Sequence, residues 1–507
     1  MGKRVWMGAL GLLWAFGCGD DDGGAAAGTD TDAPGMTSGA ASTANPSTTS
    51  NPSTTASGET GLPTTSGPSD DDGSSTTDDD TGGTVEPPSV CADFVLPQRD
   101  GAEIIVAPAD DGMVTVDGQM MTLRAAVSMA QPGDTVLLED GTYTLPDAAD
   151  GAFTGVYVTT QDITVRGRSG DASAVILDGA YRSMGNGASN VTIAAPGVAL
   201  AHLTVRRSIY HLVHVWTDGD AAVLYDVRLE DGGQQFLKAS VNDGAVDDVE
   251  VACSVFTMSD EGRDNVWGYG PQNGNTTCYT GGIDTHNARD WSVHDNRFEG
   301  IYCDADGVQR PAHGRFPEQR DGMTYVGGLS EHAVHMWDSE QGSAHDVARN
   351  VIVDCARGIG IGFVDPVYGT RVVNNMVTSS FPGAREHDVG ISIERGNDIL
   401  VAHNTVVYTH PDAYLYGLEY RFPETSGVVL HGNLTNMDIR ARDGATADEV
   451  GNVLEAEMGW FSDPDVGDLH LLDCAAAPEV ALHPDVAIDL DGTTRQDPTI
   501  VGADACE

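Results

Sequence analysis

The chain has 507 residues, 26 lysines and arginines against 77 aspartates and glutamates, and a formal net charge of −51. That length is ample for one large core or for two domains. So acidic a surface repels phosphate backbones, which excludes nucleic acid as a partner, and fits either a strongly hydrated surface or carboxylates that hold Ca²⁺.

At the N-terminus, Lys3 and Arg4 precede a short apolar run from Val5 to Phe16, and Cys18 follows Gly17. This is the layout of an export signal over residues 1–17, too short to span a bilayer. The segment AFGC resembles a bacterial lipobox, with Ala15 where that motif usually has Leu. The resemblance implies lipidation of Cys18. Membrane contact is then expected only through an N-terminal lipid anchor, on an outer-membrane lipoprotein; a plain secretory signal would give an extracellular protein. Residues 18–88 are rich in Ser, Thr, Pro, Gly and Asp and predict a solvated, disordered linker. Beyond Cys18 there are seven cysteines, Cys91, Cys253, Cys278, Cys303, Cys355, Cys474 and Cys506. Disulfides persist in exported proteins, and an odd number leaves at least one thiol outside the intrachain pairs.

From residue 89 the texture changes. TLRAAVSMA (122–130) places Leu123, Ala126, Val127 and Ala130 at helical spacing, and QPGD breaks it. TVLLEDGTYTL then predicts strand, turn, strand. A loose repeat follows, in which a short strand leads into an Asn: Asn296, Asn350, Asn375, Asn404, Asn433 and Asn452. Earlier copies place Leu203, Val227 and Cys253 at the equivalent position. Two longer gaps hold insertions at 257–280 and 302–328. A repeat of this length, with strands and almost no helix, predicts a solenoid whose coils stack. Asn at one turn of each coil predicts an internal amide ladder through Asn296, Asn350, Asn375, Asn404 and Asn433, because its side chain bonds both its own backbone and its neighbours.

On these features residues 100–470 resemble the right-handed parallel β-helix, or pectate-lyase-like, superfamily. The opening LRAAVSMAQPGDTVLLEDGTYTL is most similar to polysaccharide lyase family six, the chondroitinase B and alginate lyase group. The implied fold is all-β: a right-handed parallel β-helix over 89–470 with a short N-terminal capping helix, and a C-terminal tail over 471–507. That tail, DLDGTTRQDPTIVGADACE at its end, is similar to the closing segment of many secreted bacterial β-helix proteins, and Cys474 and Cys506 are candidates to close it onto the body.

One strand from each coil can be aligned by its distance to the Asn position. Val213, Leu237, Ile283, Val334, Ile361, Ile391 and Leu418 then face inward. Alternation sends His214, Lys238, Asp284, His335, Gly362, Ser392 and Glu419 outward. A second outward column holds Trp216, Ser240, His286, Trp337, Glu394 and Arg421. Apart from Lys3, Lys238 is the lysine of the chain. Titratable groups on adjacent rungs stand at distances suited to proton transfer, which makes Lys238, His286 and His335 the candidate catalytic residues. Trp216, Trp337 and His214 are candidates for binding substrate, the two indoles as flat platforms for sugar rings.

The resemblance to family six implies a lysine and an arginine on neighbouring coils that abstract the proton beside a uronate carboxylate, with Ca²⁺ neutralising that carboxylate. Lys238 in FLKAS matches the lysine-bearing strand. The next coil reads IDTHN, with Thr285 where the family has Arg, and Asp284 is the candidate Ca²⁺ ligand. The implied function is a cell-surface or secreted polysaccharide-active protein, a lyase that cleaves uronic-acid glycans by β-elimination. It is expected as a monomer with an anionic polysaccharide as partner. The alternative is a non-catalytic glycan-binding or structural surface lipoprotein. A glycoside hydrolase with paired carboxylates is a third reading, and the paired-Asp and Gly-His-Gly motifs of β-helix polygalacturonases are not evident.

Overall fold

A computed structural model describes residues 91–506 apart from 93, 149–152, 186–188, 241–244, 267–274, 277–278, 304–323, 326–329, 338–343, 364 and 383–386. The chain divides into Met1–Glu86 and Pro87–Glu507, and the second unit is the one described. The expected signal and linker, Cys18 included, lie outside the described residues, as do part of the insertion at 257–280 and most of the one at 302–328. No helix among the described residues is long and apolar enough to cross a membrane.

The coils begin at a cap. Helix α1 (Leu123–Val127) starts at Thr122, whose side chain accepts the Ala125 N–H, and it buries Leu123, Ala126 and Val127 in the main core. It is shorter than the periodicity over 122–130 predicts, because the Asp134 carboxylate gathers the N–H groups of Ala102 and Gln131 and turns the chain there. The strands of the predicted pair follow at Thr135–Leu138 and Gly141–Thr144.

The repeats then stack as a parallel β-helix. One sheet of 22 strands contributes two strands to most coils, such as Ser292–His294 and Arg297–Glu299. The two-residue bend between them takes a left-handed residue followed by the Asn. Asp295, Arg349, Asn374 and His403 hold φ between 52° and 57°, a conformation that costs a non-glycine residue roughly 1–2 kcal/mol. The Asn beside it offsets that cost. Asn296, Asn350, Asn375, Asn404 and Asn433 each donate Nδ2–H to the next coil's Asn Oδ1 at 2.9–3.0 Å, ending on Asn452. Each of the five also donates to a backbone carbonyl of the preceding coil at 2.8–2.9 Å. Leu203 and Val227 share this rung position. The next copy differs from expectation: Ser254, not Cys253, sits there and takes the Asn296 Oδ1 on its N–H. Cys253 is the left-handed residue of that bend, φ 53°, which points its side chain away from the core and into a disulfide with Cys91.

A second sheet of ten parallel strands forms another face of the solenoid: β1 (Val156–Val158), β2 (Val191–Ile193), β3 (Val213–Val215), β4 (Leu237–Ala239), β5 (Ile283–His286), β6 (His332–Trp337), β7 (Arg357–Ile361), β8 (Val389–Glu394), β9 (Tyr416–Arg421) and β10 (Asp438–Ala441). Between the two sheets lies an apolar core of Val, Ile and Leu, with Trp291, Phe236, Phe256 and Phe298 fully buried.

The last bridge of the stack joins Leu434 to Val453. Beyond it the chain returns along the outside of the large sheet. Phe461, Leu469, Leu490 and Val501 pack on Met376, Val407 and Leu434. Buried Arg495 fixes this tail, donating to Asn374 Oδ1 at 2.8 Å and to the Gly502 carbonyl at 2.7 Å. Cys474 and Cys506 do form a disulfide, but both lie within the tail. The bond closes the tail on itself, and Arg495 with the apolar patch docks it to the coils. Cys303 is also disulfide-bonded, and Cys355 is free and buried. Such bonds fit an oxidising compartment outside the cytosol.

Candidate functional site

The ten-stranded sheet carries the chemistry because its register lines up one residue per coil. Pairing runs His214–Lys238, Lys238–Asp284, Asp284–His335, His335–Gly360, Gly360–Ser392 and Ser392–Glu419. Val213, Leu237, Ile283, Val334, Ile359, Ile391 and Leu418 form the inward column. One strand departs from expectation. In GIGIGF, Gly360 stands in the outward column where Gly362 was expected, and Ile359 replaces Ile361. A slip of two residues keeps every side chain on its face, so the hydrophobic pattern alone does not detect it.

Lys238, Asp284 and His335 are buried, with 5 %, 4 % and 6 % of their surfaces exposed. The outward column is thus a sunken polar cluster. Asp284 is its centre. Its Oδ2 accepts from the Lys238 ammonium in a close ion pair. Its Oδ1 accepts the Trp337 indole N–H at 2.7 Å and lies 3.3 Å from His335 Nδ1. Lys238 Nζ also donates to His286 Nε2 at 2.8 Å. His286 lies 3.5 Å from Asp284 Oδ2, and its ring packs edge-on against Trp337 at 3.9 Å.

The protonation states follow from these contacts. Burial opposes charge on Asp284, but Lys238, His286 and His335 outweigh it and hold its carboxyl well below the usual range. Burial also opposes charge on His335, yet the bond to Asp284 wins and raises it above an ordinary histidine. His286 goes the other way, lowered by burial and by the Lys238 charge. The resting cluster is therefore an ammonium, a carboxylate, a positively biased His335 and a neutral His286 that accepts at Nε2. The Lys238 ammonium and His335 thus flank the Asp284 carboxylate within a protein of net charge −51.

The candidate binding residues flank it. His214 donates or accepts with Ser240 Oγ at 2.8 Å, and Trp216 packs edge-on to its ring at 4.9 Å. Burial, then His211, holds His214 well below its usual range. Trp216 and Trp337 are both half-buried. Trp337 is pinned by its bond to Asp284, whereas Trp216 lies three coils from Trp337, beside His214. Farther along, Arg421 pairs with Glu394 at 3.7 Å, and Glu419 accepts from Arg442 at 3.1 Å.

Three neighbours escaped the sequence reading. His211 lies 5.4 Å from the His214 ring and is pushed down to about 3 by burial and Lys238. Glu331 and His332 precede the strand that carries His335. The pair His332 and His335 in EHAVHMW was visible as two nearby histidines, but strand alternation assigns them to opposite faces.

Ca²⁺ takes about six to eight oxygen ligands. Both oxygens of Asp284 are engaged by nitrogen groups, and the surrounding side chains are Lys, His and Trp. This donor set does not fit Ca²⁺ at Asp284. An acidic group in the tail, Asp489, Asp491 and Asp504, serves the backbone: Asp489 accepts the N–H groups of Asp491, Thr493 and Ala505, and Asp504 those of Leu471 and Cys506.

A parallel β-helix with a row of titratable and aromatic side chains on one sheet is the class defined here. Among solved structures, the chain is similar to a pectate lyase, Pel9A, at 14 % identity over 80 % of this chain and 90 % of that one, TM-score 0.42. It is also similar to a PL6 alginate lyase in complex with a trisaccharide, at 14 % identity over 81 % and 93 %, TM-score 0.38. PfbA, a surface adhesin of Streptococcus pneumoniae, matches at 12 % identity over 75 % and 94 %, TM-score 0.30. No family model and no curated protein matches the chain.

Proposed function

We propose that this chain is an exported polysaccharide-active protein that cleaves uronic-acid glycans by β-elimination at the Lys238–Asp284–His286–His335 cluster. The observation that carries the reading is the lysine ammonium shared between a carboxylate and a neutral imidazole. A uronate carboxylate arriving at the cluster competes for the Lys238 N–H that His286 holds. Lys238 then neutralises the sugar carboxylate, which favours enolate-like charge in the transition state. His286 Nε2, released, takes the C5 proton. The C4–O bond breaks as the C4=C5 double bond forms, and the imidazolium returns its proton to the leaving oxygen. Lys238 thus acts as the electrostatic partner, and the neutral histidine two residues after Asp284 as the base. Asp284 and Trp337 fix the ammonium in place, and Trp216 offers a sugar platform. An N-terminal lipid on Cys18 would tether the protein to the outer membrane through the linker.

Absorbance in the unsaturated-uronate band on alginate, chondroitin and pectate tests this. Wild type should generate the band on at least one of them, and His286→Ala and Lys238→Met should abolish it. A silent wild type across such a panel would sink the lyase reading. The near-complete burial of Lys238, Asp284 and His335 favours a second reading, a glycan-binding surface module in which the cluster is structural. That reading predicts glycan retention that survives Lys238→Met and fails in Trp216→Ala.

A further inference from the structure

Beside the proposed catalytic cluster, Glu331, His332 and His335 bring one carboxylate oxygen and two imidazole nitrogens within 4.8 Å of one another. Their placement departs from strand parity. His332 shares the parity of Val334 and Met336, which face the core. Its ring nevertheless lies over the outward column, 4.4 Å from the His335 ring. The reason sits on the next coil. A β-carbon built on Gly360 would fall 2.6 Å from His332 Nε2, so only glycine leaves room for the ring there.

Both imidazoles are held from one side. Ser392 Oγ lies 3.4 Å from His332 Nε2, and His332 Nδ1 is buried with no hydrogen-bond partner among the described residues. A neutral ring that donates from Nε2 to Ser392 leaves a lone pair on that orphaned Nδ1. On His335, Asp284 engages Nδ1 at 3.3 Å. Its other nitrogen, Nε2, has only the Gly362 carbonyl at 3.4 Å among the described residues. At that length the bond is weak, so an ion can take the Nε2 lone pair in its place. A carboxylate that orients a ligating histidine through its second nitrogen is the usual support of an imidazole-bound metal. Among the described residues, Glu331 pairs only distantly with a cation, Arg357 at 3.9 Å, which pairs more closely with Asp388 at 3.2 Å.

We propose that Glu331, His332 and His335 hold a divalent transition-metal ion of the zinc type, bound by two nitrogens and an oxygen. The donor set excludes Ca²⁺, which takes oxygen ligands, and suits Zn²⁺ or Co²⁺. Such an ion places positive charge on the side of His335 away from Asp284, where the proton of a charged His335 would otherwise sit.

The test is metal binding by the full chain without substrate, so its outcome is independent of any lyase activity. After chelator dialysis, Zn²⁺ is titrated by calorimetry in excess Ca²⁺, and Co²⁺ is followed by its visible absorption. Wild type should bind one equivalent tightly. Glu331→Gln and His332→Gln should each weaken binding at least about 10–100-fold and remove the Co²⁺ band, while His431→Gln, near the tail, should leave both intact. X-ray absorption of zinc-loaded wild type should show two imidazoles with oxygen ligands, a result that needs no variant to fold. Unchanged binding in both variants, no tight zinc site in wild type, or a zinc shell with fewer than two imidazoles would each overturn the proposal.

Discussion

Replacing Lys238 by Met keeps the side chain's length and removes its charge from the centre of the buried cluster. Asp284 then retains the Trp337 N–H and His335, both of which contact Oδ1, while Oδ2 loses its closest partner. Removing one member of a buried ion pair costs about 3–5 kcal/mol, because the remaining charge is left uncompensated. With His335 still in place, the lower end of that range is expected. Equilibrium urea unfolding measures the loss, and a double-mutant cycle with Asp284→Asn isolates the pair, with an expected coupling of about 2–3 kcal/mol. The coupling also carries a pH signature. The folded-state carboxyl of Asp284 is depressed, so its stabilisation is present above the unfolded value of about 3.9 and is lost as pH falls through the lower folded value. In the Lys238→Met protein, His286 loses a charge that lowers it, and its imidazole should titrate at higher pH by NMR. A coupling under about 0.5 kcal/mol, in the range of exposed pairs, together with an unmoved His286, would refute the geometry on which the site rests.

Further outcomes follow from the fold. Asn375→Ala leaves the buried Asn350 backbone N–H and one amide hydrogen without acceptors. At about 1–3 kcal/mol each, urea unfolding should show a loss of about 2–6 kcal/mol, and a loss under about 1 kcal/mol would mean that the ladder does not stabilise the coils. Gly360→Ala forces a β-carbon into the His332 ring and should lower stability by about 1–3 kcal/mol, read from the same unfolding curves. Arg495→Ala removes the buried guanidinium that ties the tail to Asn374, and limited proteolysis should then cut the tail before the coils. Equal resistance in that variant and wild type would mean that the apolar patch docks the tail alone.

Much of this was legible because a solenoid repeats its instructions. Six coils offer an Asn flanked by apolar residues, three earlier coils put Leu203, Val227 and Ser254 at that rung, and the shared spacing is enough to pair His214, Lys238, Asp284 and His335 correctly. The sequence reading failed where the repeat is interrupted or where geometry, not parity, places a side chain. Gly362 was aligned in place of Gly360 because GIGIGF reads the same after a shift of two. Cys253 was assigned the rung of Ser254 because an apolar-sized residue suited the pattern, whereas the bend needs a left-handed residue first. His332 was unreadable from its own strand, since the vacancy that draws its ring outward is a glycine on the following coil. The burial of Lys238 was equally hidden: alternation reports which face a residue is on, not how deep that face lies.

The central claim is that His286 removes a proton while Lys238 holds the sugar carboxylate, and product chemistry tests it most directly. Mass spectrometry of the fragments released from a polyuronate should show unsaturated products, each lighter by one water than the hydrolysis product. His286→Ala should release none while still binding the glycan, and Lys238→Met should lose both cleavage and binding. Saturated fragments, which would mark a hydrolase, or undiminished unsaturated product from His286→Ala would contradict the account.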